Sequence, residues 1–243
     1  MTMTTREQDS YSSPAMQARR RRILEETRLL IAEQGIDGFS LMDLCRRADV
    51  AKQTLYYAFG NKNHLVAAAI GDLFEEFESA VPYHCPVGSL DRLIERTVAI
   101  GRRNAGMRNY VAAIIAFYFN SATGSDLWNA LHDIMVLPHR PYAERLAGKR
   151  QLQPWVDAGM LVDTLDGLRL SVANDWVHGR VDEQVMIDQM VTAQLCYLAG
   201  ATRGAARREA EVALRTIARA GALAYVQALP AGRTQADDDR QPG

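Results

Sequence analysis

Cysteine is scarce in this chain: there are three in 243 residues, at Cys45, Cys85 and Cys196, odd in number, far apart and without any C-x-x-C spacing. That argues against a disulfide framework and offers no zinc pattern, so a reducing cytoplasm is the expected setting. Long apolar runs are missing as well. The N-terminus has no signal-peptide core, and no stretch approaches the roughly 18 apolar residues of a membrane span, so no membrane partner is expected. No period-2 alternation is long enough to argue for a sheet, which leaves an all-α chain. The patterns of enzyme chemistry are absent too: no G-x-S-x-G elbow, no phosphate-binding glycine loop, no H-E-x-x-H helix, and no histidines paired at metal-ligand spacing. His84 beside Cys85 is the nearest thing to a ligand pair, and no further ligand follows close by in sequence. No catalytic residue, metal or cofactor is therefore expected.

An excess of charge of one sign is also lacking, since the net charge is −1. The distribution is uneven, however: residues 1–65 carry ten Lys and Arg against eight Asp and Glu, whereas the rest carry eighteen against twenty-one. The basic run Arg19 to Arg22 falls in the first part. Such runs are commonly solvated faces, but beside a nucleic-acid reader they can contact phosphate or the minor groove. A composition that is 48% apolar leaves ample material for a packed core.

The stretch Ser40 to Leu65, SLMDLCRRADVAKQTLYYAFGNKNHL, spaces its residues as two short helices joined by a tight turn and followed by a third helix start. That is the layout of a helix-turn-helix DNA reader. Leu41, Leu44, Cys45 and Ala48 recur at helical spacing, Ser40 is placed to cap, and Asp43 follows three residues on, as in a capping box. Met42, Arg46 and Arg47 are left facing outward. Asp49 occupies the turn, where left-handed backbone is wanted, and Val50 closes the turn onto the core. On the second helix, starting at Ala51 or Lys52, Leu55 and Phe59 face inward, which leaves Lys52, Gln53, Tyr56 and Tyr57 to reach a groove. Lysine and glutamine can bond phosphate or base edges, and tyrosine can do the same or pack on sugar and thymine methyl.

With the run Thr54, Leu55, Tyr56, Tyr57, Ala58, Phe59, Gly60, Asn61 and Lys62 directly after a helix-turn-helix, the segment from about Ile23 to Leu65 resembles the TetR/AcrR family of bacterial transcription regulators. The resemblance implies a three-helix head that binds double-stranded operator DNA, a larger helical body that forms a homodimer, and a small-molecule effector pocket in that body. Residues expected at DNA are Ser40, Arg46, Lys52, Gln53, Thr54, Tyr56, Tyr57 and Lys62. The chain departs from the family pattern at Asp49, where glycine is usual, and at Ala51, where serine is usual. Ala51 has no capping oxygen, a loss of about 1 kcal/mol.

The expected domains are a polar tail over residues 1–18, the DNA-binding head over 19–65, the ligand-binding and dimerisation body over 66–229, and a second polar tail over 230–243. The stripe Ile23, Leu24, Thr27, Leu30 and Ile31 predicts a first helix from about Arg19 to Gln34, ended by Gly35. Asn61 is placed to cap a fourth helix that reaches Ala80 and links head to body. VPYHCPVGS then reads as a loop. Further helices are expected near Leu90 to Asn104, Met107 to Ser121, Ser125 to Val136, Tyr142 to Gln153, Ala158 to His178, Glu183 to Ala199 and Ala205 to Leu229.

Leu161, Leu165, Leu168, Val172 and Trp176 form one apolar stripe, and Ile187, Met190, Val191, Gln194, Leu195 and Leu198 form another. They suit a helical hairpin with surface left for a dimer bundle, or simply the body's own core. Phe117, Trp128, His132, Met135, Trp155, Asn174 and Trp176 are the expected ligand-binding set, with His132 and Asn174 as polar anchors for an apolar or aromatic effector. Taken singly, each serves equally as core. The expected function is a cytoplasmic homodimeric repressor that binds an inverted-repeat operator and is released by its effector. Control by a protein partner, without an effector, is the alternative.

Overall fold

The computed structural model describes residues 13–120 and 124–230, and among these every regular element is a helix apart from one isolated bridge between Leu152 and Thr202. No helix among them is long and apolar enough to cross a membrane. The first helix, α1 (Pro14–Gly38), starts at Pro14 and not at Arg19, because the Ser13 side chain accepts the Met16 amide at 3.3 Å and Pro14 takes the first helical position. Residues 14–18, expected in the tail, are thus helical, while residues 1–12 and 231–243 lie outside the described residues. Gly35, at φ 78°, interrupts α1 where the sequence places its end, and a short helical extension beyond it buries Ile36.

Then come α2 (Leu41–Arg47), α3 (Lys52–Phe59) and α4 (Lys62–Ala80). Ile23, Leu24, Leu30, Ile31, Phe39, Leu44, Ala48, Leu55 and Phe59 close the core of the head, and Leu65 and Val66 carry that core into α4. Asn61 caps α4 by accepting the His64 amide at 2.9 Å, and the helix runs about 28 Å into the body. Arg28 of α1 fastens the two helices together: its Nε donates to the Ala69 carbonyl at 3.1 Å, and its head pairs with Asp72 and Glu76.

The body comprises α5 (Leu90–Ala105), α6 (Arg108–Tyr118), α7 (Ser125–Val136), a single 3-10 turn over Leu137–His139, α8 (Arg140–Gly148), α9 (Ala158–Val177), α10 (Glu183–Ala201), α11 (Gly204–Ala220) and α12 (Ala222–Gln227). The expected end of α6 at Ser121 lies outside the described residues. The single helix expected over Ala205 to Leu229 is two, broken at Gly221 (φ 84°), where Asp188 caps the new start by accepting the Ala222 amide at 2.7 Å.

At the centre stands α10, packed between α5, α9, α11 and α12. Here the apolar stripes take their place. Leu161, Leu165, Trp176, Met190, Val191, Gln194, Leu195 and Leu198 are all buried within one chain, with only Leu168, Val172 and Ile187 part-exposed. These buried members belong to the chain's own core, while Leu168, Val172 and Ile187 keep part of their surface open. The extra C-terminal helix adds to that core: Ala206, Ala210, Ala213 and Ile217 of α11 lie buried with α10. Gln194 is tolerated there because Thr97 donates to its Oε1 at 2.9 Å while its Nε2 donates to the Leu165 carbonyl at 3.1 Å.

α5 and α10 meet at Gly101, where a Cβ would lie 2.7 Å from Ile187 Cγ1. Gly101→Ala should therefore lower stability by about 1 to 3 kcal/mol through overpacking, despite the better helix propensity of alanine. A thermal melt that moved upward would show that the two helices part at no cost.

Candidate nucleic-acid interface

The reading unit is built by hydrogen bonds that the sequence spacing anticipates. Ser40 accepts the Asp43 amide at 3.1 Å and donates its hydroxyl to the Asp43 carboxylate at 2.8 Å, which fixes the start of α2. Asp49 takes left-handed backbone at φ 49°, and the Val50 amide returns to the Cys45 carbonyl at 3.0 Å. From α1, Arg22 donates to the Ala48 carbonyl at 2.8 Å and to that of Asp49 at 3.4 Å, holding the turn from outside. Ala51 precedes α3 with no side-chain cap, so the amide end of α3 stays open to water or to an anion.

One face of α3 is buried through Leu55 and Phe59, and the opposite face is bare. Tyr57 is 90% exposed, Tyr56 about half, and Lys52 and Gln53 are exposed beside them, with Thr54 at the half-buried margin. Lys52 Nζ stands 5.7 Å from the Tyr56 ring centre. The basic run of α1 adjoins this face. Arg20 packs 4.7 Å over the Phe59 ring, and Arg19 and Arg20 share with Gln53, Thr54 and Tyr57 a surface cleft of about 420 Å3. Arg19, Arg21 and Arg46 are exposed, Arg46 pairing with Asp43 at 2.9 Å.

Two basic residues are placed otherwise than the spacing implies. Arg47 does not face outward: it folds back onto α1, bonded to Glu26 at 2.9 Å and Glu33 at 2.6 Å, and these carboxylates raise its already high pKa. Lys62 reaches back across the head, donating to the Phe39 carbonyl at 2.7 Å and the Asp37 carbonyl at 3.3 Å while covering the Phe39 ring at 4.2 Å. Burial lowers its pKa, against the opposing pull of Asp37. Its geometry is that of a clamp between the α1–α2 loop and α4.

The residues expected around an effector do not gather in one place. Phe117, Met135 and Trp176 are buried in the core that joins head to body, Trp176 beneath the Arg108 guanidinium at 5.3 Å. Trp155 is 70% exposed on the loop before α9. Trp128 and His132 stack at 4.8 Å, and the His132 ring is held between Tyr118 Oη at 2.9 Å and Asp163 at 3.2 Å. His132 and Asp163 edge a cleft of about 310 Å3. Asn174 is part-buried on α9. Among the described residues no His, Cys, Asp or Glu cluster could hold a metal; His84 instead meets Glu95 at 3.1 Å.

Residues 23–69 match the model of the bacterial regulatory proteins of the tetR family. The HTH-type transcriptional repressor KstR of Rhodococcus jostii is 39% identical over 72 residues, covering 30% of this chain and 34% of that protein. KstR of Mycobacterium tuberculosis is 32% identical over 118 residues, 44% of this chain and 53% of that protein. The chain thus spans between a third and about half of the length of these curated relatives. Among solved structures, a TetR-family regulator from Rhodococcus sp. aligns with TM-score 0.58 at 18% identity, covering 73% of this chain and 97% of that one. TylP of Streptomyces fradiae aligns with TM-score 0.58 at 17% identity, covering 90% and 100%. At such identities these two likenesses speak for the fold.

The uncapped start of α3 and the Lys62 clamp make opposite predictions for stability. Ala51→Ser should raise the melting temperature by supplying an N-cap worth about 1 kcal/mol. Lys62→Ala should lower it by about 1 to 3 kcal/mol, since two carbonyls are deprived of a charged donor. Unchanged melts for both variants would mean that water already serves those groups.

Proposed function

We propose that this chain, whose residues 23–69 match the model of the tetR family, is a transcriptional repressor that binds an inverted-repeat operator as a homodimer and is released by a small, largely apolar effector. The observation that carries the reading is the bare face of α3, with Lys52, Gln53, Tyr56 and Tyr57 exposed on a helix whose turn is pinned by Arg22 and whose flank carries Arg19 to Arg21. In that arrangement Tyr56, Tyr57 and Gln53 face base edges, while Lys52 and the arginines serve phosphate. Ser40 and Arg46 border the same side at the start and end of α2, and Thr54 lies at its edge.

A second copy has the outer side of α9 and α10 to meet, where Leu168 and Val172 stay part-exposed and Val185 exposed. Two reading helices must then reach successive major grooves, about 34 to 36 Å apart. The effector acts on that spacing through α4, which passes unbroken from the head into the body. Its influence equals the difference in its affinity for the two arrangements, so DNA weakens effector binding by the same factor.

Footprinting on the DNA upstream of its own gene tests the reading, with two half-sites related by a dyad as the expected result. Lys52→Ala should lower the salt dependence of binding by about one unit for each phosphate that the lysine neutralises, equally on all sequences. A monomer on a single half-site would overturn the dimeric reading, and an unaltered salt slope would remove Lys52 from the phosphates.

A further inference from the structure

A cavity of about 250 Å3 opens between the end of α4, the 87–89 loop, α5, the 3-10 turn and the start of α8. Its wall is apolar at Leu93, Leu137 and Pro138 and basic at Arg92 and Arg96, with His139 beside them. Arg96 is 4% exposed, and its Nε donates to Glu78 Oε1 at 2.6 Å. The Nη2 group on the same edge of the guanidinium is buried and has no partner among the described residues. Glu78 does not fill it: its second oxygen is turned to the Tyr83 hydroxyl, from which it accepts at 3.0 Å. One edge of a planar, permanently charged fork is therefore half occupied, on a residue that lines the cavity.

The neighbouring groups narrow the choice of ligand. Arg169 is committed to Asp166, both of them buried. His139 is 2% exposed, its Nε2 lacks a partner, and 3.9 Å to Asp166 is too long for a hydrogen bond. Burial, aided by Arg96, pushes its pKa down to about 3, so the ring is neutral and adds no second fixed charge to that of the arginines. Arg92 donates to the Cys85 carbonyl at 3.2 Å and lies 3.4 Å over the Tyr83 ring, keeping its positive charge at the cavity wall. A planar oxyanion with two parallel acceptors suits the Nε–Nη2 edge of arginine, and an apolar remainder suits the rest of the wall.

We propose that this cavity binds a small carboxylic acid with an apolar tail, its carboxylate taking the Nε–Nη2 edge of Arg96 in competition with Glu78 and its tail lying along Leu93, Leu137 and Pro138. The assignment rests on the reading of the chain as an effector-released regulator and names the chemistry of the effector. It also supplies the link to the head. Glu78 is in the last turn of α4, so a ligand that takes Arg96 from Glu78 frees the body end of the helix whose other end carries the DNA reader.

The full chain is titrated with straight-chain acids from butanoate to octanoate and with benzoate and phenylacetate, each beside its primary amide, by thermal shift and by release of the upstream DNA. At least one acid should raise the melting temperature with concentration, and its amide should bind about tenfold or more weaker. Arg96→Gln should weaken the acid about tenfold or more, whereas Glu78→Gln, which removes the competing carboxylate, should tighten it. Val87→Trp, at an exposed position on the cavity rim, should block the acid without touching the ion pair. A purely structural role for the Glu78–Arg96 pair would shift both polar variants in the same direction, and that result overturns the proposal. So does equal binding of acid and amide, or no binding by any acid of the series. If neutral apolar compounds release DNA while the acids do not, this assignment falls and the effector-released reading stands. If the acids bind as described but the chain binds no DNA, the regulator reading falls and the cavity keeps its ligand.

Discussion

Arg28 donates to the Ala69 carbonyl and pairs with Asp72 and Glu76, so α1 of the head and α4 move as one piece. At the far end of α4, Glu78 bonds Arg96 of α5 at 2.6 Å, which fastens the same helix to the body. Between these two arginines α4 is a rigid rod, and a helix of that length transmits displacement of one end to the other with little loss. The apolar core that surrounds it, from Ile23 through Leu65 and Ile70 to Tyr110 and Ile115, has no gap at the boundary between head and body. The head is consequently not a bead on a linker. Its position follows from where the body holds Glu78.

Holding α4 through a buried arginine is a poor way to gain stability. Taking such a charge out of water costs several kcal/mol, and a part-exposed partner such as Glu78 returns only a share of it. Arg96, His139, Asp166 and Arg169 nonetheless sit together, each 4% exposed or less, where four apolar side chains would pack more simply. A polar cluster of this kind can be rearranged by a competing charge, whereas an apolar contact has no such handle. The same reasoning separates Glu78–Arg96 from the surface pairs Arg140–Asp133 and Arg207–Glu211, which are screened by solvent and contribute little.

The head shows a different division of labour among its basic residues. Arg22 and Arg47 are drawn inward, one to the carbonyls of the turn and the other to Glu26 and Glu33, and Lys62 closes the α1–α2 loop. Their charges hold the reading helix in place. Lys52 and Arg19, without an ion pair among the described residues, lie on the side that α3 presents to solvent. A segment with little net charge can still offer a basic face in this way, because Glu26 and Glu33 are turned toward Arg47 behind it.

Local pattern alone determined much of this molecule: the all-helical class, the helix-turn-helix over Ser40 to Leu65, the left-handed Asp49, the missing cap at Ala51 and the cap at Asn61. Each of these depends on residues within a few positions of one another, which is the range over which hydrogen-bond spacing and helical periodicity act. Pattern misplaced what depends on distant partners. Nothing in the sequence near Arg47 or Lys62 announces that one finds two glutamates on α1 and the other two carbonyls before α2. The stripes of α9 and α10 suited both a dimer bundle and the body's own core, and how much of each is buried within one chain depends on α11, which packs on α10 from far along the sequence. Trp155 and His132 were both expected at the effector, one as lining and the other as polar anchor, yet one is exposed and the other bound between Tyr118 and Asp163. Arg96, His139 and Asp166 escaped notice because they come from three separate elements, and a buried charge is recognised only when its surroundings are known. Periodicity fixes which face of a helix is apolar, but only the packing of the whole chain decides what that face meets.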